Sequence, residues 1–190
     1  MNYTLLPTEK ATQIRERFEK TFIQTQSEYE IHFAKWLEEF KKSPKYDPQF
    51  TPTPQYDKVI YWSKLKNDDC DILFEDTISF LSTVGNPVYF MSDVELEGYV
   101  GMHLLQDGNA SIGFVAETDN PQEFADFIYY EWRRFNDMND LYFDTVLPQD
   151  LYVFDDSFSW MLVFTHHNRD DFSSEHVENS FNRLCFLLRA

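Results

Sequence analysis

Two apolar runs, Leu151–Phe154 and Trp160–Phe164, stand on either side of the stretch Asp155–Ser159. Runs of four to eight residues rich in aromatic and branched side chains, bounded by a turn-forming cluster, fold as a β-hairpin. Other segments give the hairpin neighbours. "VIYW" and "VYFMS" read as strands, as does "LYFDTV", which is followed by Pro148. Across residues 94–116 the pattern is compatible with a hairpin or a helix, and Asp107-Gly108 between two apolar stretches favours the hairpin.

Helical periodicity is clearest in "NPQEFADFIYYEWRRF". Asn120 is placed to cap, Pro121 sits at the first helical position and Glu123 can close a capping box. Phe124, Phe127, Ile128 and Phe135 form the face to be buried. Arg133 and Arg134 fall in the last turn, where the helix dipole favours cations. A second helix is predicted within residues 71–84, capped by Asp71 and stopped by Gly85 and Pro87. A third is predicted near the end of the sequence, capped by Ser174 with Val177, Phe181, Leu184 and Leu188 inward.

Residues 8–42 carry Ile14, Phe18, Phe22, Tyr29, Phe33, Trp36, Leu37 and Phe40 on one helical stripe. A straight helix of this length would run to about 50 Å, and the stripe thins at Thr25 and Gln26. A kink near residues 24–27, or an overhang beyond the globule, is expected. An overhanging amphipathic helix would also serve as a dimer surface. Pro44, Pro48, Pro52 and Pro54 then make an extended connection. The expected organisation is an amphipathic helix over residues 1–43, a Pro-rich connection over 44–57, and an α+β domain over 58–190. The fold class is α+β, an antiparallel sheet built from hairpins and flanked by helices, with a long N-terminal helix.

Charge narrows the function classes. The formal net charge is −17. Residues 1–45 are nearly neutral, residues 46–190 hold all of the excess, and residues 67–132 contain no Lys or Arg. Such a surface repels phosphate backbones and anionic membranes, so nucleic-acid and membrane partners are not expected. No stretch approaches the length of an apolar membrane helix, and the first residues do not read as a secretion signal. Cys70 and Cys185 allow at most one bridge and form no C-x-x-C pair, which fits reduced thiols and a cytosolic setting.

Chemistry-bearing motifs are few. His166 and His167 precede Asp170 and Asp171, a combination that raises a metal-assisted hydrolase as the alternative reading. Adjacent strand residues point to opposite faces, however, so the two histidines do not converge on one ion. The five glycines make neither a P-loop nor a dinucleotide fingerprint, and no G-x-S-x-G elbow is present. Carboxylates are numerous enough that a glycosidase-like pair is expected by chance. No cofactor is expected.

The stretch "LYVFDDSFSWMLVFTHH" resembles the strand pair of small bacterial domains that include immunity proteins of polymorphic toxin systems. The resemblance implies a non-enzymatic, cytosolic α+β protein that neutralises a toxin by binding it. Together with the charge, it leads us to expect a basic protein partner. The candidate docking residues are Asp68, Asp69, Asp155, Asp156, Asp170 and Asp171, with Phe158 and Trp160 as aromatic anchors.

Overall fold

The computed structural model describes residues 2–56, 61, 64–66, 71–85, 87–93, 115–137, 150–168 and 183–190. Its strands are β1 (Thr4–Leu5), β2 (Asp71–Ile72), β3 (Val88–Met91), β4 (Val115–Thr118), β5 (Leu151–Asp155), β6 (Trp160–Asn168) and β7 (Arg183–Arg189). These described strands form one sheet in the order β1-β4-β3-β5-β6-β7-β2, with every neighbouring pair antiparallel. Four described helices accompany it: α1 (Thr8–Phe22), α2 (Gln26–Phe40), α3 (Phe74–Thr83) and α4 (Pro121–Asp137). The class is α+β, and the β5–β6 hairpin turns at Asp155–Ser159 as its sequence predicts.

Strand alternation sends two sets of side chains to opposite faces of the sheet. Val88, Phe90, Ala116, Leu151, Val153, Leu162, Phe164 and Cys185 pack beneath α3 and α4, joined by Phe74, Leu81, Phe124 and Ile128 from those helices. Met91, Val115, Tyr152, Phe154, Met161, Val163 and Leu188 pack on the other side with Phe18 and Phe22 of α1. Each core strand is therefore buried on both faces. A fully buried aliphatic or Phe side chain contributes about 1.5–3 kcal/mol relative to an exposed one, so the middle of the sheet is the main source of stability.

Two-sided burial also explains a correction. The segment expected to form a final helix, with Leu184 and Leu188 on its buried face, instead ends in β7. "LCFLL" is an unbroken apolar run, and a short run of that kind fits a strand covered on both sides as well as a helix. Pairing with β6 decides the matter, with Phe164 opposite Cys185 and Leu162 opposite Leu187. A second correction concerns Asp71, which lies in β2 and does not cap α3. The N-cap of α3 is Leu73, with no side-chain cap, and Thr77 Oγ1 donates to the Leu73 carbonyl at 2.9 Å. Asn120 does cap α4 as predicted: its Oδ1 accepts from the Glu123 backbone N–H at 3.1 Å and its Nδ2 donates to Glu123 Oε2 at 3.3 Å.

The stripe over residues 8–42 is divided between α1 and α2, with Ile23 in extended conformation at the break. Thr25 caps α2 through a capping box. Thr25 Oγ1 accepts from the Glu28 N–H, and Glu28 Oε2 accepts from the Thr25 N–H at 2.7 Å. The break is fastened from outside as well. Ile23 bridges Leu65, Gln24 N–H donates to the Lys64 carbonyl at 2.8 Å, and Lys66 N–H donates to the Phe22 carbonyl at 2.9 Å. Replacing Thr25 by alanine is expected to destabilise α2 by about 1 kcal/mol, measurable as lost helicity at 222 nm under conditions where the sheet stays folded.

The two helices have different roles. α1 delivers Phe18 and Phe22 to the core, so its apolar stripe is used within the fold. α2 has no buried residue and leaves Ile31 and Trp36 exposed. The Pro-rich segment returns along α2 and lays Tyr46 on Phe40 and Tyr56 on Tyr29. A run of rings continues between them through Phe33 and Trp36, with centroids 5.0–6.3 Å apart. That segment is thus held to α2 by aromatic contact, and Phe50 alone of its three aromatics stands well exposed.

Candidate functional site

Of the docking residues expected from sequence, Asp68, Asp69, Asp170 and Asp171 lie outside the described residues. His166 and His167 fall within β6, and their side chains are likewise outside the description. Among the described residues, no three His, Cys, Asp or Glu side chains gather as metal ligands.

The hairpin residues have inward roles. Asp155 is buried, its Oδ2 accepts from Trp160 Nε1 at 2.8 Å, and its Oδ1 accepts from the Ser157 N–H at 3.0 Å. Trp160 packs edge-on against Phe80 of α3. Phe158, expected to stand exposed in the turn, is only 5% exposed. It adopts φ 54°, a left-handed conformation that is uncommon for a bulky residue. What holds it there is packing: its ring meets Phe154 at 5.1 Å, and the Arg17 guanidinium lies 4.1 Å from the ring centre. Asp155, Phe158 and Trp160 therefore brace the turn, while Asp156 is exposed. The Asp-x-Ser spacing is a sequence sign of this role, since aspartate in a turn bonds the backbone N–H two residues on.

A more coherent surface lies on the outer side of α3 and α4. Phe74, Thr77 and Leu81 of α3, with Phe124, Ala125 and Ile128 of α4, are buried. The opposite side of each helix therefore faces outward, with Glu75 and Asp76 exposed on α3 and Asp126 and Tyr130 on α4. Tyr130 is 65% exposed and Leu73, just before α3, is 42% exposed. Asp119 adds a further exposed carboxylate. No Lys or Arg occurs in residues 67–132. On the far side of the sheet, α1 interleaves Lys10, Arg15, Arg17 and Lys20 with Glu9, Glu16 and Glu19. Among the described side chains, the charged groups exposed on α3 and α4 are thus carboxylates, whereas α1 carries both signs. Glu75, Asp76, Asp126 and Tyr130 are not among the docking residues expected from the sequence. Their signal was the absence of basic residues combined with the helical spacing of Phe74 and Leu81.

A buried polar cluster occupies the α1 side. Asp93 Oδ1 accepts from the Tyr61 backbone N–H at 3.0 Å and from the Tyr152 hydroxyl at 2.8 Å. Burial, reinforced by the charge of Asp150, raises the Asp93 carboxyl to about 7, despite the two donors that favour its ionised form. Arg15 Nη1 donates to the Tyr61 hydroxyl and to the Ser92 carbonyl, each at 3.1 Å, and the Tyr61 hydroxyl donates to Glu19. Burial pushes the Tyr61 phenol well above its usual range. Beside this cluster an open cleft of about 760 Å³ runs along the α1–α2 break, lined by Glu16, Glu19, Gln24, Tyr56, Tyr61 and Lys64 among others. The Lys64 ammonium lies 4.8 Å from the Tyr56 ring centre and 5.6 Å from that of Tyr61.

No family model matches the chain, and no curated protein or solved structure shows significant similarity to it.

Proposed function

We propose that this chain is an acidic binding protein whose α3–α4 face docks a basic protein partner. The observation that carries the reading is the set of exposed carboxylates Glu75 and Asp76 on α3 and Asp126 on α4, with the exposed Tyr130 one turn beyond Asp126, in a stretch of sequence with no Lys or Arg. Excess negative charge attracts an oppositely charged partner over distance and speeds its association. An exposed tyrosine supplies the apolar contact that charge alone lacks, and tyrosine is enriched where binding energy concentrates. Neutralisation of a basic toxin by direct contact is the form of this reading that the hairpin resemblance supports. A cytosolic setting goes with it, since two cysteines so far apart in sequence do not make a disulfide scaffold.

The test is affinity capture from the source cells with two baits, the wild type and a Glu75→Lys, Asp76→Lys, Asp126→Lys triple variant. The wild type is expected to retain a basic protein that elutes as sodium chloride is raised, and the variant is expected to lose it. Capture of the same proteins by both baits, or retention indifferent to salt, would remove the proposal.

A further inference from the structure

We propose that α2 is a self-association surface whose occupant is α2 of a second copy of this chain, lying antiparallel to it across a two-fold axis. α1 uses its apolar residues inside the fold, but α2 buries none of its side chains. Tyr29, Phe33, Trp36 and Phe40 recur at intervals of four, three and four residues, which is the spacing of a coiled-coil seam. At 3.6 residues per turn they fall within a strip about 60° wide. Tyr56 and Tyr46 lie against its two ends, at Tyr29 and Phe40, and its middle stays open. Trp36 is 48% exposed there, and Phe50, in the segment between those two tyrosines, is 76% exposed. A row of rings left open to water is surface that association would cover.

Charge determines which partner fits. The chain carries −17 overall, yet residues 26–46 hold four carboxylates and four lysines. Copies of the chain repel one another through the rest of their charge, so a locally neutral surface is where two of them can meet. The charges of this surface are also unevenly placed along it. Residues 26–34 hold two carboxylates, Glu28 and Glu30, and no Lys or Arg, whereas residues 35–46 hold four lysines and two carboxylates. Reversing one copy against the other sets the acidic half of each beside the basic half of the other. A parallel pair would set like against like.

The antiparallel register satisfies the seam and both of its flanks at once. A two-fold axis between reversed helices brings each flank of one against the same flank of the other. With Phe33 opposite Trp36 of the second copy, Tyr29 comes opposite Phe40 of the second copy. Glu30 and Lys41 lie about 20° apart around the helix, on one flank of the strip, and this register places Glu30 beside Lys41 of the second copy. On the other flank it places His32 beside Glu39 of the second copy. Each contact occurs twice, as an isologous interface requires, and the assembly closes at two copies.

Sedimentation velocity of the full chain measures the association. An interface of two helices lies at the small, weak end of the specific range, so a dissociation constant on the order of 10 µM is expected. Between about 2 and 200 µM the wild type is therefore expected to pass from monomer to dimer. Trp36→Glu, which puts a carboxylate in the middle of the seam, is expected to raise the dissociation constant at least about tenfold. The Glu75→Lys, Asp76→Lys, Asp126→Lys variant is expected to dimerise at least as well as the wild type, because the α3–α4 face takes no part. A wild type still monomeric at about 200 µM, growth beyond two copies, a Trp36→Glu variant that dimerises as tightly, or loss of the dimer in the α3–α4 variant would overturn the proposal. Should Trp36→Glu fail to fold, zero-length carbodiimide cross-linking of the wild type decides. Glu30 and Lys41 stand about 17 Å apart along their own helix, too far to be joined within one chain. An amide bond between them is expected across the antiparallel pair, and its absence would overturn the proposal.

Discussion

Replacing Phe18 by alanine is expected to lower stability by about 3–5 kcal/mol, the range for truncating a fully buried Phe. Phe18 has no exposed surface, and its ring lies 5.0 Å from Phe154, 5.5 Å from Phe22 and Tyr61, and 5.6 Å from Tyr152, between ring centres. Few positions connect so many elements: α1, β5 and the Tyr61 segment all meet on this ring. The cavity would be walled by stiff aromatic rings that collapse poorly, which favours the upper part of the range. Urea denaturation of the variant measures the loss. Trp36→Ala on α2 provides the contrast, because Trp36 is 48% exposed and its removal should cost about 1 kcal/mol or less. Similar losses from the two variants would mean that α1 is no more integral to the fold than α2.

Asp155→Ala is the second large effect, expected at about 3 kcal/mol. It strands the buried indole N–H of Trp160 and removes the acceptor for Ser157, and an orphaned buried donor alone costs about 1–3 kcal/mol. Asp155→Asn keeps the shape and one of the two acceptor oxygens, so it can hold either the Trp160 or the Ser157 N–H and should lose less than the alanine variant. Denaturation curves of the two variants check the ordering. Trp160 fluorescence should shift to the red in the alanine variant if the turn opens. Equal losses in the two variants would show that the hydrogen bonds of Asp155 do not hold the turn.

These two residues also mark what could be read in the sequence. The hairpin around Asp155 was legible because its signal is local: two apolar runs and a turn cluster. α4 was legible for the same reason, with Asn120, Pro121 and Glu123 all at one end. The nature of β7 was not, because periodicity disappears when both faces of a strand are covered, and only its pairing with β6 distinguishes it from a helix. The thinning stripe left either a kink near residues 24–27 or an overhang; the break that forms has its cause in Thr25 and Glu28 at capping-box spacing. The docking residues chosen within the hairpin were misleading for a general reason. Aspartates next to aromatics look the same in sequence whether they brace a turn or face water, and Asp155, Phe158 and Trp160 brace it.

The docking account rests on which carboxylates a partner covers. Carboxyl footprinting, with and without the basic protein captured by the wild-type bait, measures this residue by residue. Modification of Glu75, Asp76 and Asp126 is expected to slow on binding, because a partner that covers these carboxylates shields them from the reagent. Glu38 and Glu39 on α2, both well exposed, should react unchanged. Protection of the α2 pair with no change on α3 and α4 would contradict the account.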